Sequence, residues 1–258
     1  MFRRINGRLV NTVAFGSGDL TVLGVGGWIG SWEVWQQPFE LLSDSHRVIA
    51  YDHYGSGETH VPLDELTFEN HVEAVFGVLD TLSVGRCVLA GESNGGAVAI
   101  AAAARAPQRF GGLVLVSSAY CDFDQPINEV FATQLRADFE RTIAGFVELC
   151  VPEPDSDHLR RWLRDILLRA EPEEAVRLIE CMKDVDLRPQ LRALELPTLI
   201  VHGGQDALPF TLPSVAEEAA RLVPHSELRM LPDAGHVPTL TRPEQVAAAI
   251  RTFIDALA

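Results

Sequence analysis

The chain has 258 residues, 47% of them hydrophobic and 22% charged, and a formal net charge of −15. That size and balance fit one soluble α/β domain, or one core with an inserted subdomain. The negative field disfavours nucleic acid and anionic membranes as partners, and no apolar run approaches the roughly 18 residues that span a bilayer.

Smaller details narrow the class further. The basic start, Met1 to Gly7, has no apolar stretch behind it to form a secretory signal, so cytoplasmic residence is expected. The one lysine, Lys183, sits in a charged helical run, which argues against Schiff-base and Ser–Lys mechanisms. Cys87, Cys121, Cys150 and Cys181 stand far apart and read as free buried thiols rather than a disulfide or metal set.

In chain order, Arg8 to Phe15 reads as a strand, and Gly16 to Asp19 as a turn. Leu20 to Val25 is a second strand that runs into Gly26-Gly27-Trp28-Ile29-Gly30-Ser31-Trp32. A helix through Trp35, Phe39 and Leu42 follows, then a strand over Arg47 to Asp52 and a loop from His53 to Thr59. The spacing of Val72, Val75, Phe76 and Leu79 predicts a helix over 68–82. Cys87 to Ala90 reads as a buried strand, Ala97 to Ala104 as a buried helix, and Leu113 to Val116 as the next strand. This alternation predicts a mainly parallel sheet with helices on both faces.

The alternation lapses from Cys121 to Leu196. Ile127, Phe131, Leu135, Phe139, Ile143, Phe146 and Cys150 predict one long amphipathic helix. Leu159 to Leu167 predicts another, and Pro172 opens a third with Glu173 and Glu174 in its first turn. An all-helical insert in an α/β chain reads as a cap over the carboxyl edge of the sheet. The domain reading is therefore a core of 1–120 and 197–258 with a cap of 121–196. Strands then resume at Thr198 to Val201 and Leu228 to Leu231, separated by a helix from Pro213. The last helix opens at Thr241-Arg242-Pro243-Glu244, which has the pattern of a capping box.

The chemistry gathers at strand ends. Gly91-Glu92-Ser93-Asn94-Gly95 lies between a predicted strand and a predicted helix, the context in which Gly-x-Ser-x-Gly forms a strained turn with an exposed serine. A serine hydroxyl needs a base within reach, and the base needs an orienting acid. Asp206 and His236 each follow a predicted strand and open at the same edge as Ser93. Asp122 or Asp124 could also supply the acid. Acyl transfer further needs two backbone N–H groups facing the developing oxyanion. Asn94 and Trp28 are the candidates, with Gly26 and Gly27 letting the Trp28 backbone come close.

These residues resemble the α/β-hydrolase fold superfamily. The resemblance rests on Gly26-Gly27-Trp28 with Gly30-Ser31-Trp32, on Tyr51-Asp52 with Gly55-Ser56-Gly57, on Gly91 to Gly96, on His202-Gly203-Gly204-Gln205-Asp206, and on Gly235-His236. It implies a three-layer α/β fold, a Ser93–Asp206–His236 triad, a helical cap that shapes the pocket, and no cofactor. One departure is plain: the family usually has His-Gly where this chain has Gly26-Gly27, and that histidine braces the oxyanion loop.

The expected reaction is hydrolysis of a carboxylic ester or lactone through an acyl-enzyme on Ser93. The same triad also serves C–C bond hydrolases, lyases, and ligand receptors with little turnover. The expected pocket is apolar and takes in Gly27, Glu92, Phe131, Trp162, Leu208 and Phe210. The expected partner is a small-molecule substrate, bound by a monomer or homodimer.

Overall fold

The computed structural model describes residues 1–257. Eight strands form one sheet: β1 Phe2–Ile5, β2 Arg8–Phe15, β3 Thr21–Val25, β4 Arg47–Tyr51, β5 Cys87–Glu92, β6 Phe110–Val116, β7 Thr198–Gly203 and β8 Ser226–Leu231. Their order is β1-β2-β4-β3-β5-β6-β7-β8. The β1–β2 and β2–β4 pairs are antiparallel, and every pair from β4 to β8 is parallel. The sheet is thus mainly parallel, as expected. The β1–β2 hairpin turns on Asn6 and Gly7, both at positive φ.

Eleven α-helices are seen among the described residues: α1 Gln36–Leu42, α2 Phe68–Thr81, α3 Asn94–Arg105, α4 Pro126–Ala137, α5 Phe139–Cys150, α6 Asp157–Leu167, α7 Pro172–Glu180, α8 Arg188–Ala193, α9 Pro213–Leu222, α10 Pro238–Thr241 and α11 Pro243–Asp255. The central strands are buried on both faces, so their side chains split by parity into two cores. Leu23, Ile49, Leu89, Leu113 and Ile200 pack with α2 and α3. Val22, Val48, Val88, Val114 and Leu199 pack with Phe39 of α1 and with Val246, Ile250 and Phe253 of α11.

Two of the expected helices differ in the structure. The single helix expected over 127–150 is two. Asp138 breaks it at φ −157°, and its side chain accepts from Arg141 N–H at 3.1 Å, capping α5. The capping box expected at Thr241 does not form. Thr241 ends the short α10, and Arg242 precedes α11 with no side-chain cap.

All the parallel strands end at one edge, so the loops after β3, β5, β7 and β8 open together there. The helical insert between β6 and β7 reaches this edge: the Trp28 indole N–H donates to Ala175 O of α7 at 2.9 Å. The last insert helix, α8, packs instead against α3 and α9. Among the described residues no helix is long and apolar enough to cross a membrane.

Candidate active site

Ser93 joins β5 to α3 at φ +53°, ψ −125°, a backbone conformation that side-chain-bearing residues rarely adopt. The turn survives because its neighbours carry no side chain. A Cβ on Gly91 would lie 2.5 Å from Gly95 O, and one on Gly95 would lie 2.5 Å from Val25 O. Ser93 N–H and C=O are both held, by Val116 O and Ala119 N at 3.0 and 3.1 Å, so the hydroxyl is presented by a fixed backbone.

The three side chains expected to act together do meet. Ser93 Oγ lies 3.0 Å from His236 Nε2. His236 Nδ1 lies 2.7 Å from Asp206 Oδ2, and the Asp206 Oδ1 oxygen accepts from Leu208 N–H at 3.0 Å. Asp206 and His236 are both buried. The Nδ1–H tautomer is therefore selected, which leaves Nε2 free to accept from the serine. Of the alternatives for the acid, Asp122 pairs with Arg188 at 3.3 Å and Asp124 with Lys183 at 3.2 Å, both on exposed surface. Asp206 is the carboxylate that the fold delivers to the histidine.

The electrostatics follow from burial and pairing. Burial alone would lower the His236 pKa, but the Asp206 charge and hydrogen bond, with Glu92 adding, outweigh it and hold it above the ordinary imidazole value. Asp206 would be raised by burial; the His236 charge and hydrogen bond and the Leu208 N–H bring it below the ordinary carboxylate value. His53 and His71 are lowered by burial, so both stay neutral. Burial also pushes the Cys150 thiol well up, which removes it as a competing nucleophile.

The loop carrying His236 is fastened to the helical insert. His236 N–H donates to Cys150 O at 2.9 Å, and Gly235 N–H donates to the buried Glu153 carboxylate at 2.7 Å. Arg160 in turn donates to Val151 O and Glu153 O at 2.9 and 2.8 Å. Sequence reasoning missed Glu153, because its partner lies 82 positions away and no local pattern points to it.

Trp28 and Asn94, the expected oxyanion donors, both line the space above Ser93. Asn94 N–H is one of the free donors that open α3, and Trp28 N–H meets no protein acceptor among the described residues. The space is a cavity of about 680 Å³. Its inner wall is apolar: Trp28, Phe123, Phe131, Phe146, Met182, Leu208 and Phe210. Trp28, Phe131 and Phe146 form one aromatic cluster, with ring centroids 5.2 to 5.6 Å apart. Towards the outside, α4 and α5 contribute Asn128, Gln134, Arg141 and Thr142 beside the exposed apolar Ile127 and Leu149, and Asp138 stands between the two helices.

Three residues expected in the pocket wall are not in it. Gly27 and Glu92 bond each other beneath the loop, Gly27 N–H donating to Glu92 Oε2 at 2.9 Å. Trp162 sits on α6, which contributes nothing to the cavity, and packs against the core instead. Phe146 and Phe123 were missed as wall residues. Phe146 was legible only as part of an apolar stripe whose direction the sequence leaves open. Among the described residues, no three His, Cys, Asp or Glu side chains converge as metal ligands.

Comparison with known proteins places the chain. Residues 22–249 match the family model described as "Alpha/beta hydrolase family". A pimeloyl-[acyl-carrier protein] methyl ester esterase of Nitrosomonas europaea is 31% identical over 233 residues, covering 85% of this chain and 89% of the relative. The 3-oxoadipate enol-lactonase 2 of Acinetobacter baylyi is 26% identical over 261 residues, 95% of this chain and 92% of its own. Among solved structures, a thermophilic esterase from Thermogutta terrifontis superposes with a TM-score of 0.87 at 29% identity, covering 100% of this chain and 98% of that one. With a matched segment that spans most of its length, and with the sheet order and site just described, the chain belongs to the alpha/beta hydrolase family.

Proposed function

We propose that this protein is a serine hydrolase that cleaves carboxylic esters or lactones of small to medium, largely apolar molecules through an acyl-enzyme on Ser93. The observation that carries the reading is the unbroken Ser93–His236–Asp206 relay, with contacts of 3.0 and 2.7 Å, at the floor of an aromatic-walled cavity. The names of the relatives, a methyl ester esterase and an enol-lactonase, support the same bond type. The insert of 121–196 acts as the cap, and its helices α4, α5 and α7 shape the acyl site.

In this reading Ser93 Oγ attacks the ester carbonyl carbon and passes its proton to His236 Nε2. The carbonyl oxygen becomes an oxyanion held by Trp28 and Asn94 N–H groups. His236 then gives the proton to the departing alcohol oxygen as the carbonyl re-forms. Water attacks the acyl-enzyme with His236 as base, the acid leaves, and Ser93 regains its proton. Asp206 stays ionised throughout and stabilises the imidazolium.

The pH profile follows with a definite sign. His236 must be neutral to act as base, and its pKa in the free enzyme is raised. kcat/KM should therefore fall as pH decreases through a value above 6.5, the ordinary imidazole pKa. A stopped-flow or titrimetric profile on a p-nitrophenyl ester checks this, and a flat profile between pH 5 and 8 would count against His236 as base.

Intact mass after incubation with a fluorophosphonate tests the reading itself. One adduct on wild type and none on Ser93→Ala is expected. An unlabelled wild type that also leaves an ester and lactone panel intact would overturn it.

A further inference from the structure

The loop that presents Trp28 N–H has glycine at both positions 26 and 27, yet both of its peptides are held from outside. The Gly26–Gly27 peptide is held through its N–H, which donates to Glu92 Oε2 at 2.9 Å. The Gly27–Trp28 peptide is held through its carbonyl: Gly30 N–H donates to Gly27 O at 2.7 Å, and His53 Nε2 lies 3.1 Å from the same oxygen and donates to it in the Nε2–H tautomer, the Nδ1–H tautomer donating instead to Tyr54 O at 3.1 Å. In a trans peptide the C=O and N–H point in opposite directions. Fixing Gly27 O on one side therefore fixes Trp28 N–H on the other, towards the cavity. The space is cut to fit: a Cβ on Gly27 would lie 2.7 Å from both Glu92 Oε2 and Ser93 Cβ.

Glu92 is an unusual group to bury. It is 4% exposed, and among the described residues no Lys, Arg or His lies within ion-pair distance of it. A buried carboxyl that feels His236 only through its charge, with no ion pair, opposes folding. Its hydrogen bond in this structure goes to the oxyanion loop. We propose that Glu92 and His53 are positioning residues that clamp the Gly26–Trp28 backbone, so that Trp28 N–H is preorganised for the oxyanion. This rests on the ester-hydrolase reading above.

The clamp acts on the transition state and not on the bound ester, so its loss should appear in kcat. Loss of a single oxyanion donor lowers kcat by about 10²–10³-fold, and a loosened donor should cost a fraction of that. Glu92→Ala is expected to lower kcat at least 10-fold with KM changed less than threefold, and to weaken a trifluoromethyl ketone inhibitor in parallel. Glu92→Gln retains an acceptor for Gly27 N–H and should restore kcat to within about threefold of wild type. It should also melt no lower than wild type, since it removes a buried acid. His53→Gln against His53→Phe repeats the comparison from the other face of the loop, should Glu92→Ala fail to fold.

Rescue by Gln at either position supports the clamp. If wild type turns over esters but Glu92→Ala matches it, or if neither Gln variant recovers kcat while remaining folded, the clamp is overturned and the hydrolase reading stands. If wild type shows no Ser93-dependent turnover, the hydrolase reading falls and takes the clamp with it.

Discussion

Replacing Ser93 with alanine is expected to lower kcat on an ester substrate by about 10⁴–10⁶-fold while leaving KM within a few-fold of wild type. The serine Oγ forms the covalent bond in the proposed reaction, and nothing near it can substitute. Cys150, the neighbouring buried thiol, is held protonated by its burial. The fold should not suffer, because alanine keeps the Cβ and Ser93 holds its strained backbone through main-chain bonds to Val116 and Ala119. Losing the hydroxyl removes one hydrogen bond at the cavity floor, so the melting temperature should stay close to that of wild type. The variant should retain about 10³-fold acceleration over water, supplied by the oxyanion donors and binding alone. Steady-state kinetics on a p-nitrophenyl ester, with active-site titration of wild-type carry-over, reads both numbers. A variant with more than a tenth of wild-type kcat would remove Ser93 from the mechanism.

Asp206→Asn is expected to lower kcat by about 10⁴-fold with the backbone unmoved. The argument is one of orientation. Leu208 N–H donates to Oδ1 of the carboxylate, so the asparagine must turn its oxygen to that side. Its NH₂ then faces His236 Nδ1, where Oδ2 stood at 2.7 Å. A donor at that place drives the imidazole to the Nε2–H tautomer, which cannot accept the proton of Ser93. Nitrogen-15 chemical shifts of His236 report the tautomer independently of turnover. A variant with the Nδ1–H tautomer and near-wild-type kcat would show that Asp206 does not set the base.

The strand pattern of the core could be read in advance because buried strands leave short apolar runs ending in glycine, as Cys87 to Gly91 does. Gly-x-Ser-x-Gly announced the turn at Ser93, since only such flanks tolerate its backbone. What escaped notice was non-local or weakly patterned. The β1 strand is Phe2-Arg-Arg-Ile, four residues without an apolar alternation, and is recognisable only from its pairing with β2. The break at Asp138 interrupts the backbone but not the apolar period, which continues from Leu135 through Phe139 to Ile143. Periodicity also says that a helix has an apolar face without saying what it faces, so Trp162 looked as plausible in the pocket as Phe131. Glu92 reads from the sequence as touching either the pocket or the neighbouring loop; its bond to Gly27 is not legible there, because Gly27 lies 65 positions away.

The fastening of the His236 loop to residues 150–153 bears on how such enzymes can be recombined. Cap helices are attractive modules to exchange between relatives when a new acyl specificity is wanted. Here the segment that ends α5 and leads into α6 is bonded to the His236 loop, through Cys150 O and the Glu153 carboxylate, with Arg160 tying the strap down. A transplant with its joints at the outer ends of the insert would import a foreign strap and displace the imidazole along with the pocket. A chimera that takes only residues 126–149 from the donor should gain the donor's selectivity and keep the host's turnover. The useful crossover point in this chain is therefore inside the insert, and it is drawn by the histidine it leaves in place.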